Sequence, residues 1–231
     1  MNKYILIFTA FLLFSCGSDT KEVKSITSQP DTVEKDTQTK PEEGGYGFEQ
    51  IAEDMGYTTY EWNESVDKTF FGDPKASKGG TLNYIHSLFP RTMRVLGQNS
   101  SQVLNSRTIL ALCYQGLLSQ HPTTLEFIPA LASHWKISDD KMTFEFRINP
   151  DARWWDGRQV TSEDVIATWD LRMDETILSP AEQITYGKFE RPVAKSKYLV
   201  SVKSKTVNWR NFLYFSTMAL HPNHILKDLD G

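Results

Sequence analysis

Few of the 231 residues combine the types and spacing that catalysis or metal binding requires. His221 and His224 lie three positions apart, as in some pairs of metal ligands, but Pro222 separates them and no cysteine or acidic cluster completes a site. Glu163 and Asp164 are adjacent carboxylates, which capping and the helix dipole explain if they lie in a first helical turn. A glycine-rich phosphate loop and a nucleophile elbow are both missing from the sequence. We therefore predict no enzyme, no metal site and no cofactor.

Cys16 lies where a covalent modification is expected. Lys3 precedes a mostly apolar run, residues 4–14, which is shorter than the roughly 20 residues of a transmembrane helix and is typical of a secretion signal. Residues 13–17 resemble the lipobox of bacterial lipoproteins, with an aliphatic residue three positions and a small residue one position before the cysteine. We predict a lipoprotein signal peptide at residues 1–15 and a lipid on the Cys16 thiol. An ordinary secretion signal or an uncleaved anchor is the alternative.

The second cysteine, Cys113, is then left without a disulfide partner. An exported chain without a disulfide framework must obtain its stability from a packed core. Because Cys113 lies in an apolar stretch, we predict a small buried hydrophobic side chain, with a reactive thiol as the alternative.

Residues 17–45 differ in composition from the rest of the chain. They contain no aromatic residue and no leucine, and they are rich in charged residues, threonine and serine. Such a segment cannot bury enough apolar surface to offset its chain entropy. We predict a disordered tether at residues 16–45. The formal net charge of −4 and the absence of a basic stripe argue against a nucleic-acid partner.

Beyond the tether, the pattern is that of a mixed α/β body. In residues 46–77, acidic residues and glycines separate the aromatic residues. From this pattern we predict an irregular lead-in arm. Asn105 or Ser106 caps a predicted helix that runs to Leu118, with Cys113 on its apolar stripe.

Two later elements are indicated more strongly. Residues 135–148, with a turn at 139–141, alternate apolar and polar side chains and predict a β-hairpin with one buried face. Thr161 and Asp164 form a variant of the capping box, which predicts the start of a helix. A strand and a mostly apolar segment follow within residues 198–220.

Four blocks in the middle of the chain carry a resemblance to a known family. Residues 114–118 resemble its YEGL segment, and residues 128–135 resemble its P-x-LA-x-x-W segment. Residues 138–148 are similar to its SDD turn and following strand, and residues 154–169 to its DG turn and capped helix. The family is the family 5 extracellular solute-binding proteins, the peptide-type receptors of bacterial ABC importers. Looser similarity extends over residues 70–224.

The matched residues themselves suit structural roles. Asp156 and Gly157 fit a turn, and Trp135, Trp155 and Trp169 are predicted to fill the core. The blocks therefore indicate the fold without locating a ligand.

The resemblance implies an α/β fold of the periplasmic binding protein-like class II, in which two lobes close on a ligand. Only the first lobe and its side domain would be present in these residues. We expect an incomplete, discontinuous first lobe at residues 78–114 and 197–231, and the side domain at residues 115–196. The sequence is accordingly predicted to be an amino-terminal fragment of a longer protein, with a single-lobe protein as the alternative.

The resemblance also implies a function. We expect a substrate-binding lipoprotein that captures peptides, oligopeptides in particular, and delivers them to an ABC permease and its ATPase. It would be a monomer in the cell envelope, in the periplasm or on the cell surface, attached to a membrane only through its lipid. The alternatives are a receptor of the same family for nickel chelates, opines, haem or oligosaccharides, and a surface-binding lipoprotein without a transport role.

Candidate ligand contacts are taken from loops that match the region where family members approach their ligands. Where some oligopeptide binders have a tyrosine after Ser-Pro, this chain has Ala181, so that contact is not carried over. For each candidate, an exposed loop position without ligand contact is the alternative. The candidates are Ser87, Asn99, Ser100, Ser101, Gln102 and Tyr186.

Overall fold

A computed structural model describes residues 35–62 and 110–226, and between them residues 75, 77, 79–81, 83, 85, 92–97 and 100. All of them fall within one compact unit, Thr32–Gly231. None of the described helices is long and apolar enough to cross a membrane.

Strands and helices alternate along the described part of the chain. The strands are β1 (Leu118–Gln120), β2 (Phe127–Pro129), β3 (Ala132–Ile137), β4 (Thr143–Ile148), β5 (Val193–Ala194) and β6 (Leu199–Lys203). The helices are α1 (Ala111–Cys113), α2 (Ser162–Met173), α3 (Pro180–Tyr186), α4 (Trp209–Ser216) and α5 (Asn223–Leu226), with short 3₁₀ helices at Pro41–Glu43, Phe48–Gln50 and Glu175–Ile177. β1 and β2 form an antiparallel hairpin, and the other four strands form an antiparallel sheet in the order β3-β4-β6-β5.

The predicted β-hairpin is confirmed as β3 and β4. Trp135 pairs with Phe146 across the two strands. The turn is closed by Ser138, whose side-chain oxygen accepts a hydrogen bond from the Thr143 amide at 2.9 Å. These contacts are local in sequence, which is why the alternation of residue types predicted them.

One face of the sheet packs against helix α4. The ring of Phe146 stacks on Phe212 at 5.6 Å and on Phe215 at 5.9 Å between centroids. Val200 of β6 and Val165 of α2 belong to the same buried cluster. Each fully buried side chain of this kind contributes about 1.5–3 kcal/mol to the free energy of folding.

The opposite face of the sheet is covered at Arg147 by residues 44–49, where the predicted tether meets the lead-in arm. Arg147, on β4, is 2% exposed, and its guanidinium donates to the carbonyl oxygens of Gly44 at 2.8 Å and Gly45 at 3.0 Å. It also forms an ion pair with Glu49 at 2.9 Å. The prediction of a hairpin with one buried face is therefore wrong at Arg147, because a segment distant in sequence covers the second face.

The last part of the predicted tether, residues 35–45, is folded in the structure. Residues 35–45 belong to the predicted disordered segment 16–45, yet they are ordered against the sheet. The Asp36 carboxylate accepts a hydrogen bond from the Tyr198 hydroxyl at 2.9 Å and pairs with Lys197 at 2.5 Å. Lys197 first, and then Tyr198, hold the pKa of the Asp36 carboxyl well below its usual value. The composition did not reveal this contact because its partners are polar rather than apolar.

The helix predicted to run to Leu118 ends earlier. Helix α1 ends at Cys113, and Leu118 begins strand β1. The carbonyl groups of residues 115–117 accept hydrogen bonds from other segments and are unavailable to a helix. The donors are the amides of Leu220, Leu131 and Ala132, at 2.9, 3.3 and 2.7 Å.

Two residues predicted to be buried lie at the surface. Cys113 is exposed, because α1 ends there instead of packing along its length. Trp155 is 65% exposed, whereas its neighbour Trp154 is buried. The Gly157 amide donates to the Trp154 carbonyl at 2.9 Å, and within this tight turn the two indole rings are 6.5 Å apart between centroids and inclined by 75°. Trp135 is buried, as predicted.

Helix α2 begins as predicted. The Asp164 carboxylate accepts hydrogen bonds from the Thr161 amide at 2.7 Å and the Thr161 hydroxyl at 3.3 Å. Val165 is fully buried, and Trp169 and Met173 pack against the same core. The capping residues and the apolar face are therefore confirmed.

The pairing of strand β6 is relevant to the expected division of the chain into a first lobe (78–114 and 197–231) and a side domain (115–196). β6 pairs with β4 and β5, so Leu199–Lys203 lies in one sheet with strands of the expected side domain. The division stays a prediction, but a boundary at residue 197 would separate hydrogen-bonded strands.

Candidate functional site

Most of the predicted functional residues lie outside the described part of the chain, and so does the predicted signal peptide at residues 1–15. The structure describes two of the candidate ligand contacts, Ser100 and Tyr186. The predicted lipidation site, Cys16, and the other candidate ligand contacts lie outside the described residues. Those contacts are Ser87, Asn99, Ser101 and Gln102.

Ser100 closes a short turn. Its hydroxyl and its amide both donate to the Gly97 carbonyl, at 2.7 and 3.3 Å. Gly97 has a positive φ of 85°, and a Cβ there would lie 2.5 Å from the carbonyl oxygen of Ile177. The turn therefore needs glycine and lies against the 3₁₀ helix that precedes α3. A ligand contact at Ser100 stays a prediction.

Tyr186 is the last residue of helix α3 and not a loop residue as expected. The side chain is 8% exposed, and its ring lies 4.9 Å from the Arg172 guanidinium. Burial raises the pKa of the Tyr186 phenol, with a smaller opposing effect from Arg172. This position suits packing, and a ligand contact at Tyr186 also stays a prediction.

The best-defined polar cluster lies on helix α2. We call Asp164, Thr168 and Arg172 the polar stripe, because these three buried residues are spaced by four along one side of the helix. Their side chains bind the segment that follows α4, residues 219–223.

Each member of the polar stripe binds a main-chain group of that segment. The Asp164 carboxylate accepts from the Asn223 amide at 2.7 Å. The Thr168 hydroxyl oxygen accepts from the His221 amide at 2.8 Å. Arg172 donates to the Ala219 carbonyl at 3.0 Å. The stripe thus fixes the path of the chain as it leaves α4.

The charge of Arg172 is compensated from a second helix. Its guanidinium forms an ion pair with Glu182 of α3, and the Tyr186 ring covers it. An unpaired buried charge would be strongly unfavourable, so these contacts are what allow Arg172 to be 4% exposed.

The two histidines considered as a metal pair have separate environments. The His221 ring is buried against Tyr114, with centroids 4.7 Å apart. Burial, and then the charge of Arg172, lowers the pKa of His221 to about 4, so the ring is neutral at pH 7. His224 instead contacts Asp156 at 2.7 Å. Among the described residues, no group of three or more histidine, cysteine or acidic side chains could hold a metal ion.

The polar stripe was not predicted from the sequence, although the sequence contains a pattern that indicates it. Asp164, Thr168 and Arg172 repeat every four positions, each one place before the apolar series Val165, Trp169 and Met173. A second periodic series beside the apolar one indicates that the helix is covered over more than its apolar face.

Described residues also line surface grooves of about 590, 240 and 230 Å³. We call the largest of these the aromatic groove. It lies between the end of the lead-in arm and the β1–β2 hairpin. Its described lining residues are Thr59, Tyr60, Glu61, Thr124, Glu126, Phe127 and Trp135.

Sequence comparison identifies the relatives of this chain. Residues 126–230 match the family described as bacterial extracellular solute-binding proteins, family 5 Middle. The periplasmic murein peptide-binding protein MppA of Escherichia coli is 33% identical over 67 residues, which are 29% of this chain and 12% of MppA. The oligopeptide-binding protein AliB of Streptococcus pneumoniae is 30% identical over 100 residues, 41% of this chain and 15% of AliB. The matched region is thus a small part of these longer relatives.

Solved structures agree at the level of the fold. AgaA of Agrobacterium tumefaciens R10, in complex with agropinic acid, superposes with a TM-score of 0.51 at 21% identity, over 60% of this chain and 28% of AgaA. OppA of Haemophilus influenzae, in complex with RPPGFSPFR, superposes with a TM-score of 0.50 at 19% identity, over 56% of this chain and 28% of OppA. The predicted fold class, a mixed α/β portion of a class II periplasmic binding protein, is confirmed. Residues 126–230 are therefore similar to the bacterial extracellular solute-binding proteins of family 5.

Proposed function

We propose that this protein is the substrate-binding lipoprotein of a bacterial ABC importer, which captures peptides outside the inner membrane and delivers them to a permease. The observation that carries the proposal is the family match of residues 126–230, together with relatives named for binding oligopeptides and murein peptides. The rigid β-sheet and the polar stripe support it as a scaffold of the kind that holds ligand-contacting loops in place.

The candidate contacts belong to this proposal. Ser100 lies in a turn that is fixed by its bonds to Gly97, so a ligand would meet a preorganised loop there. The proposed set of contacts is completed by Ser87, Asn99, Ser101, Gln102 and Tyr186.

The anchor is a second part of the proposal. A lipid on Cys16 would hold the binding body close to the permease and place the protein in the cell envelope. Growth with labelled palmitate should give a labelled protein, and Cys16→Ser should remove the label. A Cys16→Ser protein that keeps the label would contradict the anchor.

Titration calorimetry on full-length protein tests the ligand class. The protein is unfolded in denaturant, freed of bound ligand and refolded, and then titrated with an oligopeptide pool, agropinic acid, a nickel–histidine chelate, haem and an oligosaccharide. We expect saturable binding of peptides only. Preference for any of the other four ligands would replace the proposed cargo with that ligand.

A further inference from the structure

The aromatic groove has walls that are held rigidly on both sides. On the arm side, Thr58 and Trp135 exchange main-chain hydrogen bonds at 2.8 and 3.0 Å, as in an antiparallel bridge. The Thr59 hydroxyl donates to the Ser133 carbonyl at 2.7 Å. This wall therefore does not need to be ordered when a ligand arrives.

The hairpin side is equally fixed. The His121 amide donates to the Glu126 carbonyl at 2.8 Å, and the His121 ring nitrogen Nδ1 accepts from the amides of Thr123 and Thr124 at 3.2 and 3.1 Å. Phe127 is held by an edge-on contact with Phe212 of the core, at 4.7 Å between centroids. The main chain of both walls and the Phe127 ring are thus held in place.

The lining combines aromatic rings with carboxylates. Tyr60, Phe127 and Trp135 supply ring surfaces. Glu61 on the arm and Glu126 on the hairpin supply one exposed carboxylate from each wall, and none of the described lining residues carries a positive charge. The volume of about 590 Å³ is within the range of small-molecule sites.

Aromatic faces attract organic cations, and carboxylates bind guanidinium and ammonium groups through charge-assisted hydrogen bonds. An anionic ligand would be repelled by both carboxylates, and a wholly apolar ligand would leave them without partners. We propose that the aromatic groove binds the cationic side chain of a basic peptide, arginine or lysine, between Glu61 and Glu126. The site lies outside all of the predicted ligand contacts and goes beyond the proposed function, because it holds whether or not the protein delivers peptides to a permease.

The test compares a charged probe with its neutral isostere on the full chain. N-acetyl-arginine amide and N-acetyl-citrulline amide have nearly the same shape, and only the first carries a positive charge. Binding is followed by the shifts of the tryptophan indole N–H signals in NMR titrations. We expect the arginine probe to bind at least tenfold more tightly than the citrulline probe, and raised salt to weaken its binding.

The double variant Glu61→Gln with Glu126→Gln should weaken the arginine probe at least tenfold. Glu53→Gln, which removes an exposed carboxylate of the arm outside the groove, is the matched control and should bind as the wild type does. Thermal unfolding checks that all three chains fold alike. Equal affinity for the two probes, or unchanged affinity in the double variant, would overturn the proposal. The probe is a single amino-acid derivative and not a peptide. A failure of this NMR titration can therefore be distinguished from a failure of the oligopeptide pool to bind in the calorimetric titration.

Discussion

At the scale of single residues, buried charges decide how the described part of the chain is held together. Arg147 and Arg172 are both almost fully buried, and each binds a carboxylate as well as main-chain carbonyl oxygens, two for Arg147 and one for Arg172. Arg191 makes a similar pair with Asp170 at 2.7 Å, but both partners are exposed. A guanidinium–carboxylate pair should therefore contribute very different amounts to the free energy of unfolding when it is buried and when it is exposed.

Arg172→Leu tests this difference. The substitution leaves Glu182 and the Ala219 carbonyl without their partner, and we expect a loss of about 2–4 kcal/mol in the free energy of unfolding. The matched control Arg191→Leu should lose less than about 1 kcal/mol, since water replaces its exposed pair. Urea unfolding measures both, and equal losses would contradict the role given to the polar stripe.

His221 predicts a pH dependence of stability. The unfolded side chain takes up a proton near its ordinary pKa of 6.5, whereas the folded side chain stays neutral down to about pH 4. Protonation therefore favours the unfolded state. The contribution of the neutral His221 ring to the free energy of unfolding is complete above pH 6.5 and is lost as the pH falls towards 4. The loss is on the order of 3 kcal/mol.

His221→Phe should remove this part of the pH dependence while keeping a ring against Tyr114. The free energy of unfolding, measured from pH 7 to pH 4 in both chains, should fall more steeply in the wild type. Parallel curves would show that His221 is not the group responsible.

At the scale of elements, the end of the predicted tether and the lead-in arm that follows it are attached to the sheet through polar contacts. Arg147 holds Gly44 and Gly45, and the Tyr57 hydroxyl donates to the Glu145 carboxylate at 2.7 Å. Burial and then Glu145 raise the pKa of the Tyr57 phenol, so it remains a donor at neutral pH. Residues 44–57, on both sides of the predicted boundary between tether and arm, are thereby part of the folded body.

Arg147→Met should release the arm while leaving the sheet folded. Methionine fills much of the space but cannot donate to the two carbonyl groups, so amide hydrogen exchange in residues 41–57 should rise at least tenfold. Arg158→Met, at a 64% exposed arginine, is the matched control and should leave exchange unchanged. Unchanged protection of residues 41–57 in Arg147→Met would contradict the attachment.

The close crossing of two segments at Gly116 gives another element-level test. A Cβ there would lie 2.8–2.9 Å from the main chain of Ser216 and Thr217. We expect Gly116→Ala to cost about 1–3 kcal/mol, because the backbone must move. Gly157→Ala meets no atom within 4 Å and should cost only about 1 kcal/mol through its positive φ of 87°. Thermal unfolding of both variants distinguishes the two causes, and a smaller loss at Gly116 than at Gly157 would contradict the crossing.

Whether the sequence could predict a feature depends on how far apart along the chain the contacting residues lie. The β3–β4 hairpin and the Thr161–Asp164 cap depend on neighbours within a few positions, and both were predicted correctly. The burial of Arg147 and the end of α1 at Cys113 depend on partners about 100 residues away, at Gly44 and Leu220. Residue types alone do not encode such pairings, so these features required the structure. The candidate ligand contacts came from resemblance, and they remain predictions.

At the scale of the whole molecule, residues 110–226 form a scaffold whose larger part, residues 126–226, matches the family 5 solute-binding proteins in sequence. The match to relatives covers 12–15% of their length. The sheet, helix α2 and the arm are fixed by buried contacts, which suits a part that holds ligand-contacting loops and does not itself rearrange.

Native mass spectrometry of the full-length protein, purified from its host without denaturant, tests the central claim of peptide capture most directly. We expect a heterogeneous set of bound masses that resolve, after release, into short peptides. Protein stripped in denaturant and refolded is the control, and it should show no adduct until peptides are added back. A single discrete adduct that proves to be an opine, a metal chelate, haem or a sugar would rule out peptide capture.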